Sequence, residues 1–360
     1  MTGRLREPQP VPEQSAALAT LQHGLATGRL IVGQGPVGTE VPDEYSHGPY
    51  PPIGRHNITQ TQRGEEVLGQ IHDTYNLAGA AEVLESYTWG LLHGVLDDEE
   101  LPRDLGNQLK SRARAAALGA ATRAYQRTGV LPFVLDTART AVDCHRHDYP
   151  AKLSDSELDR AHASQAGAFA AAGSRGVLLQ TFQSLREMEV AKRAFDAAGV
   201  PILGVSAYCR RTPDGLLLPS GDKLTSVATF AEDNGLWVGA NCVTPVDGVA
   251  AIREFISLTK GGVPLYVALN GLNTDPASET RTDAELREEV VHGRPDLEQA
   301  YTEIVQTVCE MGKAGIILAS CCFTGPGITR TIANIVRAAQ ADAGQCDNII
   351  SEQGANNETG

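Results

Sequence analysis

The chain has 360 residues, of which 42% are apolar, and its 30 basic and 44 acidic side chains give a formal charge of −14. That apolar share supports a sizeable core, and the acidic balance with no basic run argues against nucleic acid or an anionic membrane as partner. No apolar stretch approaches the roughly 20 residues of a membrane span, and the N-terminal MTGRLREPQPVPEQ lacks the apolar region of a secretory signal, so a cytoplasmic location is expected.

In chain order, residues 1–15 are rich in Pro and Gln and read as a flexible N-terminus. Eight short apolar runs follow, at 29–35, 81–86, 131–137, 176–181, 200–207, 236–241, 264–270 and 315–320. They are near-continuous in apolar residues, as parallel strands buried on both faces require. Helical patterns fill the gaps, at 60–79, 105–127, 156–172, 247–259 and 296–313. In SLREMEVAKRAFDAAG, Leu185, Met188, Ala191, Phe195 and Ala198 form one stripe and Gly199 is placed as a stop. ITRTIANIVRAAQ repeats Ile328, Ile332, Ile335 and Ala339. The polar, acidic segment 341–360 reads as a disordered tail, which leaves 16–340 as a single domain. Eight strand–helix units predict an α/β fold of the (β/α)8 TIM-barrel type. The competing doubly wound sheet needs a reversal of strand order that a sequence does not display. GQGPVG at 33–38 does not match the dinucleotide fingerprint.

The active site of such a barrel gathers at the C-terminal ends of its strands. Those ends carry Gln34, Glu85 with Thr88, Asp136 with Thr137, Gln180 with Thr181, Ser206, Asn241 with Cys242, Asn270, and Cys321 with Cys322. The seven cysteines are an odd number in a chain expected to be cytoplasmic, which argues against a disulfide framework. Adjacent residues such as Cys321 and Cys322 are also poorly disposed to bond each other. Buried cysteines can simply pack as small hydrophobes. A strand-end Cys242 facing an adjacent pair at another strand end instead favours three thiolates on one borderline-soft ion, for which zinc is the commonest choice. Three protein ligands leave a fourth position open, as in catalytic rather than structural zinc sites.

GLWVGANCVTP and GIILASCCFTGPGITR resemble the two zinc signatures of the homocysteine S-methyltransferase family. LIVGQGPVGTEV and AGAAEVLESYTWG more loosely resemble its first- and second-strand segments, and the likeness spans about 30 to 340. The resemblance implies a barrel, Zn2+ on Cys242, Cys321 and Cys322 as both metal and catalytic residues, and methyl transfer to a small thiol in the manner of methionine biosynthesis. The acceptor would be homocysteine or a related thiol held as a zinc thiolate, and the donor a small, diffusible sulfonium or ammonium compound.

The departures from the family pattern carry information. Where the family has an Asp in the first strand and a Glu in the fourth, which the resemblance implies grip the ammonium of homocysteine, this chain has Gln34 and Gln180, the latter before Thr181. A carboxylate holds an ammonium better than an amide does, so the acceptor's amine is masked, absent or held differently, with Glu85 as a compensating acid. The acceptor site is accordingly expected at Gln34, Glu85, Gln180, Thr181 and Asn270. Tyr87 and Trp89 offer an aromatic wall to an onium donor or are core, with Thr88 beside them. In LDTARTAVDCHRHDYP, Asp136 and Arg139 are candidates to touch substrate, whereas His145 and His147 favour an exposed polar loop over a metal site. Ser220 and Gly221 are a candidate contact for the acceptor carboxylate, and the Pro/Gly-rich 42–56, with His47 and His56, is a lid or a long loop. Two other readings stay open: a demethylase that degrades the donor with the thiol as sink, and a non-catalytic zinc- or thiol-binding barrel. Long loops make a homo-oligomer a further expectation.

Overall fold

The computed structural model describes residues 11–47, 51–88, 105–141, 153–271, 294–311 and 314–356, without the side chains of 46–54, 56 and 342–356. Trp89, Cys144, His145 and His147 lie outside the described residues, as do the side chains of His47 and His56.

Each of the eight apolar runs is a parallel strand. Helix α1 (Gln14–Ala26) precedes β1 (Leu30–Val32), and the short α2 (Val37–Glu40) and α3 (Gln62–Ala78) follow. Then come β2 (Val83–Glu85), α4 (Leu105–Thr128), β3 (Phe133–Ala138), α5 (Asp155–Ala171), β4 (Val177–Phe182), α6 (Leu185–Ala197) and β5 (Ile202–Ala207). An antiparallel hairpin of β6 (Arg210–Thr212) and β7 (Gly215–Leu217) is inserted before α7 (Leu224–Asp233) and β8 (Trp237–Val243). The chain ends with α8 (Pro245–Thr259), β9 (Leu265–Leu269), α9 (Pro295–Met311), β10 (Ile316–Ser320) and α10 (Pro326–Asn356). The backbone of α10 thus stays helical into the segment whose composition suggests disorder. Side chains of Thr61, Ser154, Ser184 and Thr244 cap the starts of α3, α5, α6 and α8.

The sheet order is β1-β10-β9-β8-β5-β4-β3-β2, and a parallel bridge from Gly33 to Val83 brings β1 round to β2. The result is the nearly closed (β/α)8 barrel of a single domain that the run of strands predicts. Alternate residues divide between two packing layers. Ile31, Leu135, Leu178, Leu203, Tyr266 and Ile317 fill the barrel. Their neighbours Leu30, Leu179, Val267 and Leu318 face the helices. Leu21 and Leu25 of α1 join the inner layer, and α1 is tied to the strand starts by Gly315 N–H donating to Leu25 O at 3.0 Å and Val134 N–H donating to Gln14 Oε1 at 2.7 Å. One end of the barrel is stoppered, and the strand C-termini form the other.

Candidate active site

At that C-terminal end lies a cavity of about 410 Å³ lined by residues from the ends of β1, β2, β3, β4, β8 and β10. The three sulfurs meet at its wall. Cys242 Sγ is 3.6 Å from Cys322 Sγ, which is 3.9 Å from Cys321 Sγ, and all three lie within 4.8 Å of one another. All three are free thiols. Cys242 is buried and the other two are half-buried against the cavity.

The backbone that delivers these thiols departs from regular strand geometry. Along β8 the inner-facing parity passes through Trp237, Gly239 and Asn241, which would turn Cys242 outward. A register shift against β9 falls between Asn241 and Val243, and Cys242 has φ 57°. That bulge re-aims its side chain toward the mouth. Two strands round the barrel from β8, β4 has a matching irregularity between Gln180 and Phe182, with Thr181 at φ 64°. The two bulges hold each other: Thr181 N–H donates to Asn241 Oδ1 at 2.8 Å, and Asn241 Nδ2 donates to Thr181 Oγ1 at 2.7 Å. Left-handed backbone at a non-glycine residue is strained by on the order of 1–3 kcal/mol, and Phe323, directly after the thiol pair, is a third case at φ 59°. Gly271 passes so close that a Cβ there would lie 2.2 Å from Phe323 O, which is why glycine occupies it.

Cys242 and Cys321 resist ionisation. Hydrogen bonds that Cys242 donates to Cys321 and Cys322, then burial, push its pKa well above the usual thiol range. A bound cation reverses that preference. The donor set suits one: a tetrahedral zinc with bonds of about 2.3 Å has sulfur–sulfur edges of about 3.8 Å, close to the separations found here. Asn270 sits behind the cluster, with Nδ2 pointing at Cys242 Sγ over 3.8 Å.

A second polar cluster spans the barrel interior, joining Glu85 of β2, Gln180 of β4 and Tyr266 of β9. Tyr266 Oη donates to Glu85 Oε1 at 2.6 Å, and Gln180 Nε2 lies 3.3 Å from Glu85 Oε2 and 3.0 Å from Tyr266 Oη. Burial raises the Glu85 carboxyl to about 7, against the lowering effect of the Tyr266 hydrogen bond. Tyr266 was not foreseen, although an aromatic hydroxyl inside an otherwise aliphatic strand is a visible signal.

The remaining sequence candidates divide. Glu85, Gln180, Thr181, Tyr87 and Arg139 line the cavity, joined by Arg55 and Ser320. Gln34 does not. Ile31 and Gly33 face inward, so Gln34 faces α3, fully buried, with Oε1 2.9 Å from His72 Nδ1. Asp136 is likewise one step out of phase with the inner Leu135, and it binds Ser86, Arg114 and Ser174 behind the wall. The Thr88 hydroxyl accepts from Thr137 N–H at 3.1 Å and is buried off the cavity. Ser220 donates to Asp222 in the hairpin region and Gly221 N–H bonds Leu218 O; neither lines the cavity. The 42–56 segment holds the 3-10 stretch Asp43–His47 and the start of another, Pro51–Gln60, and supplies Arg55, which donates to Gly38 O and Asp43.

A family model described as homocysteine S-methyltransferase matches residues 31–336. Among solved structures, the metallated form of the homocysteine methyltransferase MmuM from Escherichia coli is similar at 16% identity and a TM-score of 0.63, covering 88% of this chain and 99% of that one. Its apo form is similar at 16% identity and a TM-score of 0.58, covering 90% of this chain and 100% of that one. At such identity the likeness shows the fold. Comparison with curated proteins finds no match.

Proposed function

Because the chain belongs to the homocysteine S-methyltransferase family, we propose that it moves a methyl group from a small sulfonium or ammonium donor to homocysteine or a related small thiol, at a zinc site formed by Cys242, Cys321 and Cys322. The observation that carries this reading is the meeting of three free thiols from two strands within 4.8 Å at a cavity wall. Family membership sets aside the non-catalytic barrel. Zinc bound there would act as a Lewis acid, stabilising the deprotonated form of the acceptor sulfur at neutral pH in the position that three protein ligands leave open.

The chain's own residues do the rest. Asn270 directs an N–H at Cys242 and steadies its thiolate form. Glu85 is the acid among the described lining residues, and it faces the acceptor's ammonium while Tyr266 and Gln180 fix both its oxygens. Gln34, turned toward His72, leaves that task to it. Tyr87 presents a half-buried ring to the onium charge. The acceptor thiol gives its proton to solvent. Its sulfur lone pair forms the new S–CH3 bond, and the bond from methyl to the onium centre breaks. That electron pair stays on the donor, whose onium atom becomes neutral as it leaves. Closing the far end of the barrel with α1 confines both partners to one mouth, so the protein contributes orientation.

Purified protein is expected to carry about one zinc per chain and to release an S-methylated thiol from homocysteine and a member of an onium panel. Cys322→Ser should lose both metal and turnover, whereas Cys209→Ser, at a buried thiol away from the cavity, should keep them. Zinc-loaded protein with no transfer from any donor, or a fully active Cys322→Ser variant, would overturn the reading.

A further inference from the structure

We propose that the ring of Phe323 holds the onium group of the methyl donor beside the thiol site, with Tyr87 as a second aromatic face. The inference rests on the methyl-transfer reading above and deepens it. Among the described residues, Thr181, Cys242, Lys260 and Phe323 have left-handed backbone without being glycine. Lys260 ends α8, where that geometry is an ordinary cap. The other three line the cavity. Thr181 and Cys242 are used there, the first in the brace to Asn241 and the second as a thiol of the trio. Phe323 calls for the same kind of reason, because glycine would adopt its φ of 59° without strain.

Backbone contacts set that turn whatever its side chain. Gly271 N–H donates to Cys322 O at 2.8 Å, and Thr324 Oγ1 donates to Cys321 O at 2.6 Å. Packing does not call for a ring either. Cys321 and Cys322 pack against the apolar core. Phe323, half-buried at the cavity, joins none of the apolar clusters of the described residues. A large ring that is carried on strained backbone and faces a cavity is placed for a ligand.

Its position says which part of the ligand. The strands β2, β1 and β10 are consecutive round the barrel. Tyr87 stands two residues past Glu85 on the β2 side, and Phe323 directly follows the thiol pair on the β10 side. Both rings therefore lie nearer the mouth than Glu85 and the thiols, which hold the acceptor, and the donor meets the acceptor sulfur from the mouth. Among the described lining residues the charged groups are Arg55, Arg139 and Glu85. Glu85 is engaged by the acceptor's ammonium, so the wall offers the donor's positive centre aromatic faces, whose quadrupole attracts a cation.

The test is calorimetry on zinc-loaded protein without thiol, which needs no turnover. Choline is compared with 3,3-dimethylbutan-1-ol, and (2-hydroxyethyl)dimethylsulfonium with 3-methylbutan-1-ol; each alcohol keeps the shape of its partner and loses the charge. Wild type should bind at least one cation more tightly than its neutral match. Phe323→Leu should cut that preference by about threefold to thirtyfold, the range of a cation–π contact, with the alcohols bound as before. Phe323→Tyr should keep it. Phe323→Gly should retain zinc and melt no lower than wild type, because it relieves the backbone. A preference unchanged in Phe323→Leu, neither cation bound by wild type, or a loss of zinc or stability in Phe323→Gly overturns the proposal. A preference present in wild type and lost in Phe323→Leu, with no methyl transfer from any donor, upholds the assignment and fails the methyl-transfer reading alone.

Discussion

Glu85 and Gln180 share one inward-facing corner, and their pairing reverses what the bare sequence suggests about them. Read alone, Gln180 looks like a lost acid whose restoration should improve an ammonium site. In the folded chain its Nε2 donates toward Glu85 Oε2, so a second carboxylate there would face the first and one of the two would stay protonated. Gln180→Glu is therefore expected to lower kcat/KM for homocysteine. Glu85→Gln should lower it by about tenfold or more through loss of a charged contact. A gain in Gln180→Glu would contradict the assignment. His72 offers a test of a different kind. Burial, then the charge of Arg123, lowers its pKa to about 3. The unfolded chain therefore takes up a proton near pH 6.5 that the native state refuses. Stability must fall as pH drops through that value, by about 2 kcal/mol between pH 7 and pH 5. Denaturant titrations at the two pH values should show this loss in wild type and a smaller one in His72→Gln.

At the scale of elements, the eight strands were legible because each is buried on both faces and reads as an unbroken apolar run. The same continuity hides the phase of the pleat. Nothing in RLIVGQG marks Gly33 as inward and Gln34 as outward, and a shift of one residue exchanges cavity for helix packing. The bulges at Thr181 and Cys242 were equally silent, because they depend on a bond between two strands 60 positions apart. That bond invites its own measurement. Asn241→Ala should leave Thr181 N–H buried without its partner, lower stability by about 1–3 kcal/mol and weaken metal retention against a chelator; unchanged retention would show that the bulge needs no such brace. Helix α1 was missed because Ala, Gln and Thr dilute its pattern, although Ala17, Leu21 and Leu25 recur at helical spacing and are buried. The β6–β7 hairpin was also missed, yet Pro213, Asp214 and Gly215 spell a turn. The thiol trio was readable because chemistry picks out cysteine at strand ends even when geometry is unknown.

The whole molecule separates its tasks by end. Residues at the stoppered end carry stability, and those at the open end carry chemistry, as in other barrels of this type. Leu21→Ala, at a fully packed site on α1, should cost about 2–5 kcal/mol while the folded fraction keeps its kcat/KM. A matching loss of kcat/KM would mean that the two ends are coupled. Among the described residues no helix is long and apolar enough to cross a membrane. The central claim is that three cysteines from β8 and β10 grip one metal and leave a position for the substrate sulfur. X-ray absorption at the zinc edge, before and after adding homocysteine, tests it most directly. The account predicts three sulfurs at about 2.3 Å with one lighter ligand, changing to four sulfurs when the thiol binds. Fewer than three sulfurs at the start, or a shell that the thiol does not alter, would contradict it.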